Sequence, residues 1–519
     1  MKLPFDPTTI FDRSQDERSS ARLPKPDDAS LVEKLPSELR RSRPPRLPQV
    51  TEPQLVRHYT RLSQRNYSID TAFYPLGSCT MKYNPKVHEV IAALPGFSQL
   101  HPAQDTADAQ GVLRIMFELQ HALAELSGLP GVTLQPAAGA HGEFTGLMLM
   151  KAYHEHRVRE GVIDAMPTHV LIPDTAHGTN PASVTMAGFS TLSVPTDQRG
   201  GMDVEALREL ASEHAIVGLM LTNPSTTGLF EEQIAEIADI VHTAGGLLYY
   251  DGANFNAIMG KTRPGDMGFD IVHFNVHKTF STPHGGGGPG AGPVAVRDIL
   301  VPFLPVPRIE QDAHGTFICV DAAPLSIGRI KQFWGNVGVL VRAWAYIRTH
   351  GRDGLVRATE LAVLNATYLQ ARLADIFPKS FDRRCMHEFV VSASQLKRET
   401  GVRALDVAKR LVDYGFHPPT VYFPLLIDEA LMIEPTETET LATLDNFAEA
   451  MHEIVQECAT HPDVVLSAPH TAPVRRLDEA RAVRDLVLRW QPPVSDSETP
   501  VSDANRSAGV IAGAASPFA

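Results

Sequence analysis

The run GLLYYDGANFNAIMGKTRPGDMGFDIVHFNVHK, residues 246–278, decides how this chain folds. It holds two short apolar segments, GLLYYDG (246–252) and DIVHFN (270–275), each closing on polar or turn-forming residues. Continuous apolar runs of this length are how strands buried on both faces of a parallel sheet read. Upstream, EEQIAEIADIVHTAGG (231–246) sets Ile234, Ile237, Ile240 and Val241 on one helical face and stops at Gly245 and Gly246. Further strands are expected in GVTLQ (131–135), HVLIPD (169–174), IVGLMLTNP (216–224) and PVAVR (293–297). Alternating strands and amphipathic helices imply right-handed crossovers and an open α/β sheet covered on both faces.

In such sheets, ligands gather at the carboxyl ends of the strands. Asp251 ends one strand, and Lys278 lies just past a later one, before HGGGG (284–288). Taken singly, an acid at a strand end most often caps a turn, and a lysine beyond a strand most often snorkels to solvent. Together they suggest a lysine that forms a Schiff base with a carbonyl cofactor and an acid that pairs with a pyridinium nitrogen. After GVTLQ, the stretch PAAGAHGEFTG (136–146) enters a helix. Its small residues open backbone N–H groups to an anion at the positive helix end. His177, in PDTAHGTNPAS (173–183), is placed to lie flat on a planar ring, although a lone loop histidine is more often structural.

The bulk numbers narrow the function class. The chain has 519 residues, 43% hydrophobic and 21% charged, with a net charge of −13. That acidic balance speaks against general nucleic-acid binding. The four cysteines, Cys79, Cys319, Cys385 and Cys458, are far apart and show no metal-ligand spacing, so neither a disulfide framework nor a metal site is expected. The acid-containing N-terminus is unlike a secretory or organelle leader, and every apolar run is too short for a membrane span, so a cytoplasmic protein is expected.

Four regions are expected along the chain. Residues 1–75 form an N-terminal arm, Pro- and charge-rich over its first fifty or so, and 76–330 form a large cofactor-binding α/β domain. Residues 331–475 form a smaller α+β domain, with amphipathic helices at 404–416 and 441–456, and 476–519 read as a disordered low-complexity tail.

The blocks FYPLGSCTMKYNP (73–85), QPAAGAHGE (135–143), PDTAHGTNPAS (173–183), LTNPSTTGLFE (221–231), YYDGAN (249–254), HKTFSTPHGGGGPG (277–290) and HPPTVYFPL (417–425) closely resemble the glycine cleavage system P-protein. The match is to its second (beta) subunit, where that protein is split into two polypeptides, and it spans roughly residues 60–475. The resemblance implies a fold-type I pyridoxal-phosphate enzyme of aspartate-aminotransferase-like architecture. It implies pyridoxal 5'-phosphate held covalently at Lys278, with Asp251 on the ring nitrogen, His177 on the ring face and His277 beside the amine. Gly139, Ala140 and His141 would take the phosphate, with Thr179 and Asn254 among the cofactor contacts. Ser78 to Thr80 and His387–Glu388 are weaker candidates for the substrate side, and Lys82, Arg329 and Lys331 for a carboxylate or lipoyl entrance.

The implied reaction is glycine decarboxylation, with the aminomethyl group passing to the lipoyl arm of H-protein. The implied partners are that carrier and an alpha subunit, in an α2β2 assembly. Many relatives are single longer chains, so the other half is expected to be a separate gene product. Two alternatives remain: another fold-type I amino-acid decarboxylase or cysteine desulfurase, and an inactive scaffold subunit.

Overall fold

A computed structural model describes residues 8–15, 34–42, 45, 47–284 and 290–490. The four glycines at 285–288 and the tail beyond residue 490 lie outside the described residues, as does most of the first third of the arm. The chain divides into two compact units, Tyr67–Arg475 and the described parts of Met1–Asn66 with Arg476–Ala519. In the smaller unit, the helix Glu52–Ser63 begins with a capping box between Thr51 and Gln54, and the Phe11 and Trp490 rings stack at 4.8 Å.

The larger unit is built on a seven-stranded sheet. Its strands are β1 (Gly131–Thr133), β2 (His169–Pro173), β3 (Ser190–Val194), β4 (Ile216–Thr222), β5 (Leu247–Gly252), β6 (Ile271–Phe274) and β7 (Val294–Val296). Across the sheet they run β1-β7-β6-β5-β4-β2-β3. Only β7 runs against the rest, pairing antiparallel with both β1 and β6. All seven residues of β4 and all six of β5 are buried, as expected of strands covered on both faces.

Beyond the sheet comes a hairpin of β8 (Arg308–Gln311) and β9 (Phe317–Val320). Val337–Arg372 follows as two helical segments joined at Gly351, whose φ of 60° breaks the helical run. A three-stranded antiparallel sheet is then ordered β10 (Phe389–Ser392), β12 (Ala430–Ile433), β11 (Thr420–Val421). The helices Ala404–Asp413 and Leu441–Thr460 share its core, where Phe389, Val391, Leu431, Ile433 and Phe447 are all but inaccessible to water. Among the described residues, no helix is long and apolar enough to cross a membrane.

Candidate active site

The register of the parallel strands sets up the site. Thr222 at the end of β4 lies beside Asp251 on β5, which lies beside His273 on β6. Three polar side chains thus meet at one level of the sheet, all buried. Asp251 Oδ2 accepts from Asn180 Nδ2 at 3.0 Å, and Oδ1 accepts from the Ala253 N–H at 2.9 Å. His273 Nε2 lies 3.4 Å from Oδ1. Burial pushes the Asp251 carboxyl up, but the His273 ring, the two hydrogen bonds and the Lys278 amine outweigh it and hold the group below the ordinary carboxylate range. Asp251 is therefore a carboxylate near neutral pH. The His273 ring is fixed in turn by the Tyr249 hydroxyl, 2.7 Å from Nδ1, and by the Asn275 amide, 2.8 Å from Nε2.

The loop after β1 leads into the helix Gly139–Arg159. Gly139 must be glycine here, because a Cβ would sit 2.2 Å from Asn275 Oδ1; at Gly146 it would meet the Tyr249 ring at 2.2 Å. The glycines let the helix pack closely on β5 and β6, and its first residues, Gly139 and Ala140, line the same space, where a helix start offers free N–H groups and positive dipole. One turn in, buried Glu143 accepts from Thr179 Oγ1 at 2.9 Å and from Ser183 Oγ at 3.1 Å. The His177 ring is held by the same residue twice, with Nδ1 2.9 Å from the Thr179 hydroxyl and 3.3 Å from the Thr179 backbone N–H. His177 stays exposed, its ring edge-on to Phe423 at 5.6 Å.

A cavity of about 190 Å³ lies among these parts, walled by Ser78, Gly139, Ala140, His177, Asp251, Asn254 and Lys278 among others. Lys278 lies within a single helical turn after β6 (Val276–Thr279), and its amine makes no hydrogen bond or ion pair among the described residues. Burial first, and then the Lys278 charge, push the His277 imidazole down to about 3, so it is neutral at physiological pH. Three polar atoms of the wall, Thr222 Oγ1, Asn254 Oδ1 and His277 Nδ1, are buried without a partner among the described residues. Such atoms mark a site completed by a ligand. Pyridoxal 5'-phosphate fits this donor set, with N–H groups for its phosphate, a carboxylate for its ring nitrogen and an uncommitted amine for its aldehyde. The fold and site define a fold-type I pyridoxal-phosphate enzyme.

The cavity brings together Lys278, His277, His177, Asp251, Gly139, Ala140, Thr179 and Asn254. His141 is not part of its wall; its Nδ1 turns back to accept the Ala137 N–H at 3.1 Å. Lys82 is not an entrance cation either. It is buried, 2.7 Å from Glu437 Oε1 and 2.9 Å from Asn256 Oδ1, because an interior ammonium must be paired. Arg329 pairs with Asp321, and Lys331 donates to Asn336. Sequence reading missed Glu143, Thr222, Thr226 and Asn275, all in the wall. The acid in EFTG at a helix start was the one available signal.

Comparisons with known proteins place the chain in a family. The family model "Glycine cleavage system P-protein" matches residues 25–316, and "Glycine dehydrogenase, C-terminal domain" matches residues 358–471. A relative from Caldanaerobacter subterraneus, called probable glycine dehydrogenase (decarboxylating) subunit 2, is 55% identical over 93% of this chain and 98% of its own length. A relative of the same description from Exiguobacterium sibiricum is also 55% identical, over 93% and 97%. Among solved structures, a glycine decarboxylase (P-protein) in inhibitor-bound form aligns with a TM-score of 0.67 at 23% identity, over 82% of this chain and 94% of that one. Lactobacillus brevis glutamate decarboxylase aligns at 0.63 and 13%, over 82% and 98%. The chain belongs to the glycine cleavage system P-protein family.

The cradle yields a direct expectation. Gly139→Ala pushes a methyl group into Asn275, and overpacking of this kind costs about 1–3 kcal/mol. Asn275 also steadies His273, so the strain reaches Asp251. Cofactor affinity is expected to fall roughly tenfold or more by that same strain, read by titrating cofactor absorbance; unchanged affinity would show that the helix start is not the cradle.

Proposed function

We propose that this chain decarboxylates glycine with pyridoxal 5'-phosphate held at Lys278 and passes the remaining aminomethyl group to the lipoyl arm of H-protein. It does so as the cofactor-bearing beta subunit of a two-subunit P-protein. The observation that carries this reading is the convergence of Asp251, Lys278 and an open helix N-terminus on one cavity, in a chain of this family.

When bound, the cofactor supplies an electron sink for the electron pair left on the glycine α-carbon as CO2 departs. The other tasks fall to the chain. Asp251, kept ionised by Asn180, Ala253 and His273, would hold the proton on the ring nitrogen. Lys278 would move protons at Nζ, and neutral His277 beside it adds no competing charge. Gly139 and Ala140 would take the phosphate, and His177, held through Thr179 and Glu143, would serve the ring.

The desulfurase alternative needs a thiolate nucleophile, and the cysteines speak against one. Burial pushes Cys79, Cys319 and Cys385 up to about 11 and Cys458 up to about 12. The scaffold alternative leaves the uncommitted amine of Lys278 beside an ionised Asp251 without a purpose.

The test is glycine-dependent CO2 release by the purified chain with lipoylated H-protein, alone and mixed with its alpha partner, alongside size-exclusion chromatography. Activity is expected only in the mixture, eluting as a symmetric α2β2 assembly. Full activity from this chain alone would overturn the two-subunit reading.

A further inference from the structure

The Ser78–Thr80 turn reaches the cavity wall through Ser78 and is held from behind by two acids distant in sequence. Ser78 and Thr80 both adopt positive φ, 64° and 49°, a region disfavoured for residues with a side chain. The Ser78 N–H donates to Glu388 Oε2 at 2.7 Å, and the Thr80 N–H donates to Glu434 Oε2 at 2.8 Å. Glu388 immediately precedes β10 and Glu434 immediately follows β12. These strands pair antiparallel with Phe389 opposite Ile433, which carries the two acids side by side. Asn254, in the cavity wall, donates to Glu388 Oε1 at 3.2 Å, a second link from the acids to the cavity.

The acids are almost wholly shielded from water, at 0% and 1% exposure. Their oxygens and a ring nitrogen of His387 lie within 4.8 Å of one another. The titratable groups facing them are His387, Cys79, Cys385, Lys82 and Lys278. His387 is neutral, pushed down to about 3 by burial and by the two lysines, and Lys82 is already paired with Glu437. Burial raises the Cys79 and Cys385 thiols, so neither adds charge at neutral pH. No cation forms a hydrogen bond to either acid among the described residues. Two full negative charges so placed repel strongly in a dry interior, and one shared proton removes that repulsion.

We propose that Glu388 and Glu434 form a one-proton carboxylate clamp, a pair of positioning residues that holds the Ser78–Thr80 turn against the cofactor cavity and is strained by mutual repulsion when the proton is lost. The inference rests on the reading that this cavity holds pyridoxal 5'-phosphate. Burial raises both carboxyls above their ordinary value, so the folded chain binds the shared proton more tightly than the unfolded chain does. The clamp's contribution to stability is thus complete below the ordinary glutamate range and is lost as pH rises through the folded-state value.

The experiment uses the full chain in two assays. Melting temperature is followed without cofactor from the ordinary glutamate range upward into alkaline pH, where a raised carboxyl loses its proton, and pyridoxal 5'-phosphate affinity is titrated at both ends of that range. Glu434→Gln keeps an acceptor for Thr80 and needs no proton, so its melting temperature is expected to fall less with pH than the parent's. Glu434→Ala is expected to bind cofactor roughly tenfold more weakly, with Gln restoring most of the loss. A Gln variant with the parent's pH slope, an Ala variant with the parent's cofactor affinity, or a stoichiometric divalent ion in the parent that the Gln variant lacks would each overturn the clamp. Should Glu434→Ala fail to fold, the Gln slope still decides. Should the parent bind no cofactor, the functional reading fails, while the melting slopes judge the clamp separately.

Discussion

Replacing Lys278 by alanine is expected to abolish glycine decarboxylation and covalent cofactor attachment while leaving the fold intact. The side chain is half-buried and its amine is bonded to nothing among the described residues, so its loss breaks no structural contact. The stability cost should therefore stay within about 1 kcal/mol. The chemical cost is of another order. Proton transfer by a positioned side chain contributes about 10²–10⁴-fold, and the covalent anchor is lost as well. The check is turnover by the purified variant in the assembled system, with circular dichroism to confirm the fold. Turnover near the parent's would remove Lys278 from the chemistry.

The second large effect is expected at Asp251. An asparagine in its place would still accept a hydrogen bond from the Asn180 amide, so the strand end should keep its shape. A neutral amide cannot hold a ring-nitrogen proton by charge, however, and the electron sink weakens. Removing one preorganised electrostatic group of this kind costs on the order of 10²–10³-fold in rate. The expected phenotype of Asp251→Asn is thus a chain that still binds cofactor but turns over at least about a hundredfold more slowly. Unchanged turnover would reduce Asp251 to a turn cap.

Both residues were legible in the sequence for the same physical reason. β5 and β6 are buried on both faces and read as short apolar runs, so an acid near the end of one and a lysine just past the other stand out. β3 was not legible. Its residues Ser190–Val194 are mostly exposed at the sheet edge, and STLSV has neither the length nor the apolarity of a buried strand. The β8–β9 hairpin escaped for a similar reason, since RIEQ buries only Ile309.

The same limit applies within the site. Glu143 lies in a helix, where an acid ordinarily reads as part of a solvated face, and only the packing of Thr179 and Ser183 against it shows otherwise. Ser78 to Thr80 and His387–Glu388 were noticed as candidates, but Glu434 was not. What joins them is the pairing of β10 with β12, which no local pattern displays. Lys82 misled because an interior ion pair with Glu437 and a solvated loop cation look alike until the partner is known.

Whether Lys278 is the cofactor lysine is decided by reductive trapping. The purified chain is loaded with pyridoxal 5'-phosphate, reduced with borohydride, digested and mapped by mass spectrometry. A single phosphopyridoxyl adduct is expected on the peptide containing HKTF (277–280), placed at Lys278. An adduct at another lysine, or none in a chain that visibly binds the cofactor, would contradict it.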